Sequence, residues 1–158
     1  MASKLIITTV ENLQPRINGI ASSLAGKPGV YVSLNKTQKS VEEIFKAEKI
    51  DTKKMFFIDC VTSEQTKDYV LHIRPTELDK LSYAINSFFH EIKGDKYLII
   101  DALSTLLIYN NENKVAAFVK EITEYASANN ISVVALSPET KGEELLEYCR
   151  GVKNRSRP

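Results

Sequence analysis

This 158-residue chain has few of the residues that build metal or redox centres, with two cysteines and two histidines. Cys60 and Cys149 show neither CxxC nor CxxH spacing, and His72 and His90 stand too far apart in sequence for a zinc motif. The thiols read as reduced cytosolic cysteines. An excess of one charge is also missing: 21 Lys and Arg face 20 Asp and Glu. That balance argues against electrostatic capture of DNA, RNA or an anionic membrane. No apolar run approaches the roughly 18 residues of a membrane span, and the first residues lack the basic and apolar pattern of a signal peptide. A cytoplasmic protein is expected. The ending "RGVKNRSRP" carries Arg150, Lys153, Arg155 and Arg157, and reads as a frayed, solvated basic tail over 151–158. No linker, repeat or low-complexity segment divides the rest, so residues 1–150 are expected to form one domain. A chain of this length buries roughly 70% of its unfolded surface, enough for a core without staples.

What is present is a regular alternation of short apolar runs and helical patterns. "KLIITTV" (4–10), "GVYVSL" (29–34), "MFFIDC" (55–60), "YLIID" (97–101) and "ISVVALS" (131–137) are nearly continuous apolar stretches rich in β-branched and aromatic residues. Such runs suit strands buried on both faces of a parallel sheet. "KDYVLHIRP" (67–75) alternates and has a less apolar face, which fits a short edge strand. Between the runs, Ile17, Ile20, Ala21 and Leu24 mark one helix face, with Gly26 as its stop. Ser40 to Glu43 has capping-box spacing ahead of Ile44 and Phe45, and Thr140 to Glu143 repeats it ahead of Leu145, Leu146 and Cys149. Thr76 is expected to start a helix with the stripe Leu78, Leu81, Ile85, Phe88 and Ile92, closed by Gly94. Val115, Phe118, Val119, Ile122 and Ala126 form another, ending at Asn129 and Asn130. The class is α/β, with βαβ units and a mostly parallel sheet flanked by helices.

In an open parallel sheet, ligands gather at the carboxyl ends of the strands. There the sequence offers Glu11, Asn12 and Gln14, then Asn35, Lys36 and Thr37, then Asp59, then Asp101 with Ser104 and Thr105, then Ser137 and Glu139. An apolar strand ending in Asp101 is the pattern of a Walker B segment, whose carboxylate helps to hold Mg²⁺ beside a nucleotide. An acid that merely hydrogen-bonds a neighbouring turn gives the same pattern. Asp59 with Asp101 is a candidate metal pair lacking a third ligand. Ser104 and Thr105 have no recognisable His and acid partners for a hydrolase triad, and His90 reads as a surface or half-buried helix residue.

"YLIIDALSTLLIYNNENKVAAFVKEITEYASANNISVVALS" resembles the Walker B half of KaiC-like domains of the RecA superfamily, in archaeal form. "GVYVSLNKTQKSVEEIFKAEKID" resembles their second strand and helix, and "IRPTELDKLSYAINSFF" the segment before Walker B. The resemblance runs in order over nearly the whole chain and implies a three-layer RecA-like (P-loop NTPase-like) fold. It also implies a P-loop, GxxxxGK[ST], after the first strand, where glycine amides turn inward on phosphates and a Lys adds charge. This chain has "VENLQPRING" there. The glycines are missing, Pro15 has no N–H, Glu11 is negative, and Arg16 near the Lys position is followed by Ile17. The glutamates of KaiC-like ATPases after the second strand are replaced by Asn35 and Lys36. Of that site Asp101 remains, with Arg16 and Lys36 at vestigial nucleotide positions and Lys39 completing a loose cationic rim. The resemblance therefore implies a pseudo-ATPase without a cofactor, acting in signal transduction as a regulatory or protein-binding module. Its expected partner is a protein, such as a second copy or a KaiC-like relative, rather than nucleic acid. The alternative is a divergent ATPase or ATP-binding protein that holds Mg-ATP by an unconventional phosphate site.

Overall fold

The computed structural model describes residues 3–62, 69–138 and 154–156. Its elements run β1 (Ser3–Thr8), α1 (Val10–Leu24), β2 (Gly29–Ser33), α2 (Gln38–Ala47), β3 (Met55–Asp59), β4 (Val70–His72), α3 (Leu78–Glu91), β5 (Lys96–Asp101), α4 (Ser104–Tyr109), α5 (Glu112–Ala128), β6 (Ile131–Pro138) and β7 (Asn154–Ser156). The strands form one sheet in the order β4-β3-β2-β5-β6-β1-β7, with every pairing parallel. β4 lies at the edge, as its alternating pattern predicts.

Strand residues alternate between the two faces, and two separate cores result. Leu5, Ile7, Val30, Val32, Leu98 and Ile100 pack under α3, α4 and α5 through Leu81, Ile85, Leu106, Phe118 and Ile122. Ile6, Tyr31, Phe57, Ile99 and Leu136 pack under α1 and α2 through Leu13, Ile17, Ala21, Val41 and Phe45. The molecule is therefore a three-layer α/β sandwich, consistent with a RecA-like core. Because helices cover both faces, β2 and β5 are buried along their whole length, which is why they read as unbroken apolar runs.

Several boundaries differ from the sequence reading. "VENLQPRING" is not a turn: it opens α1, with Thr9 as N-cap accepting from the Asn12 N–H at 3.2 Å. Pro15 and Gly19 both lie within that helix. An interior proline removes one helical hydrogen bond, but the neighbouring Leu13, Ile17 and Ala21 are buried against the sheet. That burial and the Gln14 to Asn18 side-chain bond at 2.8 Å offset the local cost. The second helix is capped by Thr37, which accepts from the Ser40 N–H at 3.1 Å, so Ser40 is not its cap. Helix α3 begins at Leu78 rather than Thr76, and its N-cap residue Glu77 makes no side-chain capping bond. The short helix α4 was not legible in the sequence. Residues 154–156, expected in a frayed tail, instead pair in parallel with β1 from Lys4 to Ile6, because β1 otherwise presents unpaired backbone groups on that side. The helix expected from Thr140 lies outside the described residues.

Two glycines give a test of the packing. Gly29 starts β2 opposite Tyr97, and a Cβ at that position would overlap the buried Tyr97 ring. Gly19 in α1 has open space around the same position. We expect Gly29→Ala to destabilise the fold by about 1–3 kcal/mol. Gly19→Ala should stabilise it by about 0.5–1 kcal/mol. Urea unfolding midpoints of the two variants should move in opposite directions.

Candidate functional site

The parallel register lines up one row across the carboxyl ends of the strands, polar from Asp101 to His72. Ile6, Leu136, Asp101, Ser33, Asp59 and His72 are successive cross-strand partners. Residues in such a row share a face, here the face covered by α1 and α2. The acids in this row have different environments.

Asp59 is fully engaged by its own neighbourhood. Its Oδ1 accepts from the Val61 and Thr62 N–H groups at 2.7 and 3.0 Å. Its Oδ2 accepts from the Gln38 N–H at 2.9 Å and the Thr62 hydroxyl at 3.0 Å. It thus closes the turn after β3 and satisfies an orphan N–H at the start of α2. The structure does not bring Asp59 and Asp101 together as a pair. Two strand spacings, roughly 9–10 Å, separate Asp59 from Asp101, and no cluster of three or more His, Cys, Asp or Glu with metal-binding geometry occurs among the described residues. At the end of the row, the His72 Nδ1–H donates to the Thr62 carbonyl at 2.7 Å.

Asp101 is completely inaccessible. Its Oδ2 accepts from the Tyr31 hydroxyl at 2.6 Å, while its Oδ1 is buried without a partner. Tyr31 comes from β2 and is itself wholly buried. Its ring stands edge-on to Phe45, with centroids 5.7 Å apart, and lies 5.7 Å from Phe57, so packing aims the hydroxyl at the acid. Burial raises the Asp101 pKa, opposed by the Tyr31 hydrogen bond and the Lys36 charge. Burial, with the neighbouring Asp101, pushes the Tyr31 phenol well above its ordinary value, so it remains a donor at neutral pH. The Asp101–Ala102 peptide is cis.

The cations expected at this edge do not converge on Asp101. Lys36, half-buried in the loop between β2 and α2, is the one whose charge reaches it. Arg16 lies in the second turn of α1, roughly 10 Å along the helix from its start. Lys39 is exposed in the first turn of α2. At the first strand a single residue, Thr9, joins β1 to α1, so helix occupies the position of a phosphate-binding loop. Thr8 on β1 and Ser137 on β6 are also fully buried, and neither hydroxyl has a partner.

Sequence reasoning identified Asp101 and Lys36 but missed Tyr31, Thr8 and the capping role of Thr37. The signal for Tyr31 was available: a phenol within the apolar strand "GVYVS" needs a hydrogen-bond partner when buried.

Residues 19–144 match the family described as Protein of unknown function (DUF835). The chain belongs to this family. No curated protein sequence matches it. The DUF835 match begins inside α1 and ends beyond β6, so it takes in Tyr31, Lys36, Asp59 and Asp101 but not β1 or Thr9.

Removing the phenol donor should expose the cost of burying the acid. Tyr31→Phe is expected to lose about 1–3 kcal/mol, because Asp101 would keep its burial and lose its one hydrogen bond. The raised Asp101 pKa also has a pH signature. The folded state binds the proton more tightly than the unfolded chain, so this contribution to stability is complete below the ordinary value of 3.8. It is lost as pH rises through the folded-state pKa. Asp101→Asn keeps an acceptor for Tyr31 and removes the titration. The unfolding free energy of the variant relative to the parent should therefore increase as pH rises above about 4, measured by urea denaturation across pH.

Proposed function

We propose that this DUF835 protein is a non-catalytic RecA/KaiC-like domain acting as a protein-binding or regulatory module, with a role in signal transduction. The observation that carries this reading is the Tyr31–Asp101 pair. A carboxylate that serves a nucleotide-bound Mg²⁺ needs its oxygens presented to the ion. Here Asp101 is inaccessible, and one of its oxygens is engaged by a core tyrosine. The β1–α1 junction adds support. A phosphate cradle requires a run of inward-turned amides, whereas residues 10–24 are helical from the first residue after Thr9. Asn35 and Lys36 stand after β2, and neither can act as a carboxylate base toward water. No helix among the described residues is long and apolar enough to cross a membrane.

One observation favours a second reading, a divergent ATP-binding protein. The unpartnered oxygens of Thr8, Ser137 and Asp101 sit near the carboxyl ends of three neighbouring strands, β1, β6 and β5. Lys36 lies close enough to influence Asp101. A rearranged edge could offer these groups to a phosphate or its metal.

Thermal unfolding with Mg-ATP separates the readings. A ligand that binds the folded state alone adds about 2.7 kcal/mol at 100 times its Kd. The module reading expects an unchanged Tm through millimolar Mg-ATP. A saturable rise at sub-millimolar ATP, lost in Lys36→Ala and in Asp101→Asn, would establish the second reading instead.

A further inference from the structure

We propose that the groove between α3 and α5 is a docking site for a basic, arginine-bearing segment of a protein partner. This specifies the partner chemistry of the binding-module reading and rests on it, although the groove lies on the opposite face of the sheet from Asp101.

The two helices bury Leu81, Ile85, Phe89, Phe118, Ile122 and Ala126 toward the sheet. Their outer surfaces leave a groove of about 590 Å³. Its carboxylates are Asp79, Glu91 and Glu121, accompanied by His90, and neither Lys nor Arg lines it. A second hollow of about 430 Å³ shares Asp79, Ser82 and Glu121 and extends toward Glu77, Lys80 and Lys114. Lys80 there is already paired with Glu77 at 2.9 Å. The cations are thus confined to one end, and the rest of the groove is negative.

Side chains of α3 hold Glu121 in place within it. Glu121 Oε1 accepts from the Ser82 hydroxyl at 3.0 Å and the Asn86 amide at 3.5 Å. Turning its amide nitrogen toward Glu121 leaves the Asn86 Oδ1 buried without a partner. An exposed Glu121 carboxylate, with Asp79 and Glu91 lining the same groove, suits a cation with several N–H donors in one plane, which describes a guanidinium. Aromatic faces flank the same place. Tyr125 is stacked on Phe89 at 6.1 Å with 12° between the rings. Tyr83 is 76% exposed, the most exposed large apolar or aromatic side chain among the described residues. A guanidinium lying on a tyrosine ring gains a cation–π contact while pairing with the carboxylate.

The test is a backbone-amide NMR titration of the full chain with three nine-residue peptides, alternating Arg–Ala, Lys–Ala and Glu–Ala. The Arg–Ala peptide should give saturable shifts confined to residues 79–91 and 117–125. The Lys–Ala peptide should bind several-fold more weakly, and the Glu–Ala peptide should give no shifts. Tyr83→Ala and Glu121→Gln should each weaken Arg–Ala binding about tenfold. Because Tyr83 is exposed, its variant should retain the parent Tm. Equal binding by both variants, shifts spread over acidic residues across the surface, or no saturation at millimolar peptide would overturn the proposal. Self-association of the parent that disappears in Tyr83→Ala would also overturn it, assigning the face to a second copy of this chain. A silent titration would leave the module reading standing, whereas a Tm rise with Mg-ATP would overturn that reading and leave the groove to the peptide result.

Discussion

A carboxylate without water must be solvated by the protein around it, and at Asp101 the solvation available is one phenol. Burial disfavours its charge, while the Tyr31 hydroxyl and the nearby Lys36 favour it. Tyr31 can act this way because Phe45 and Phe57 hold its ring, linking the edge of the sheet to the core beneath α2. The acid at the tip of β5 thus belongs to the packing of one helical layer.

The same register makes Asp59 a different kind of residue, although both acids end apolar strands and lie in one row. The chain turns back tightly over Asp59, and four donors meet its two oxygens. Asp101 has no such turn and depends on a side chain from the adjacent strand. A strand-terminal acid is consequently a poor indicator of function until its donors are known. On the other face, α3 and α5 use their apolar stripes inward and leave carboxylates and tyrosines facing out. The structure thus separates a sealed carboxyl edge from an open, negatively charged helical face.

Legibility in the sequence followed the range of the interactions involved. The five apolar runs and the one alternating segment all contain strands, and the alternating one, β4, falls at the sheet edge. Helix ends set by local chemistry were equally readable: Gly26, Gly94 and Asn130 all adopt positive φ near helix ends. Pro15 misled because its local penalty is real but smaller than the benefit of seating Leu13, Ile17 and Ala21. β7 was illegible because a short polar segment becomes a strand when a distant edge lacks partners. Thr37 was available as a cap one turn before the expected one, and the choice between them is a matter of where the chain leaves β2.

The sequence by itself determined the class, an α/β parallel sheet, because burial on both faces requires continuous apolar strands and their covering helices carry 3.6-residue stripes. It also named Asp101 and Lys36 as neighbours of one sheet edge. Tertiary structure alone decided that Asp101 faces a tyrosine seventy residues earlier in the chain and that Asp59 is consumed by its turn. It also decided that the supposed loop after β1 is helix. Those outcomes depend on register and packing between segments distant in sequence, which no local pattern of residues encodes.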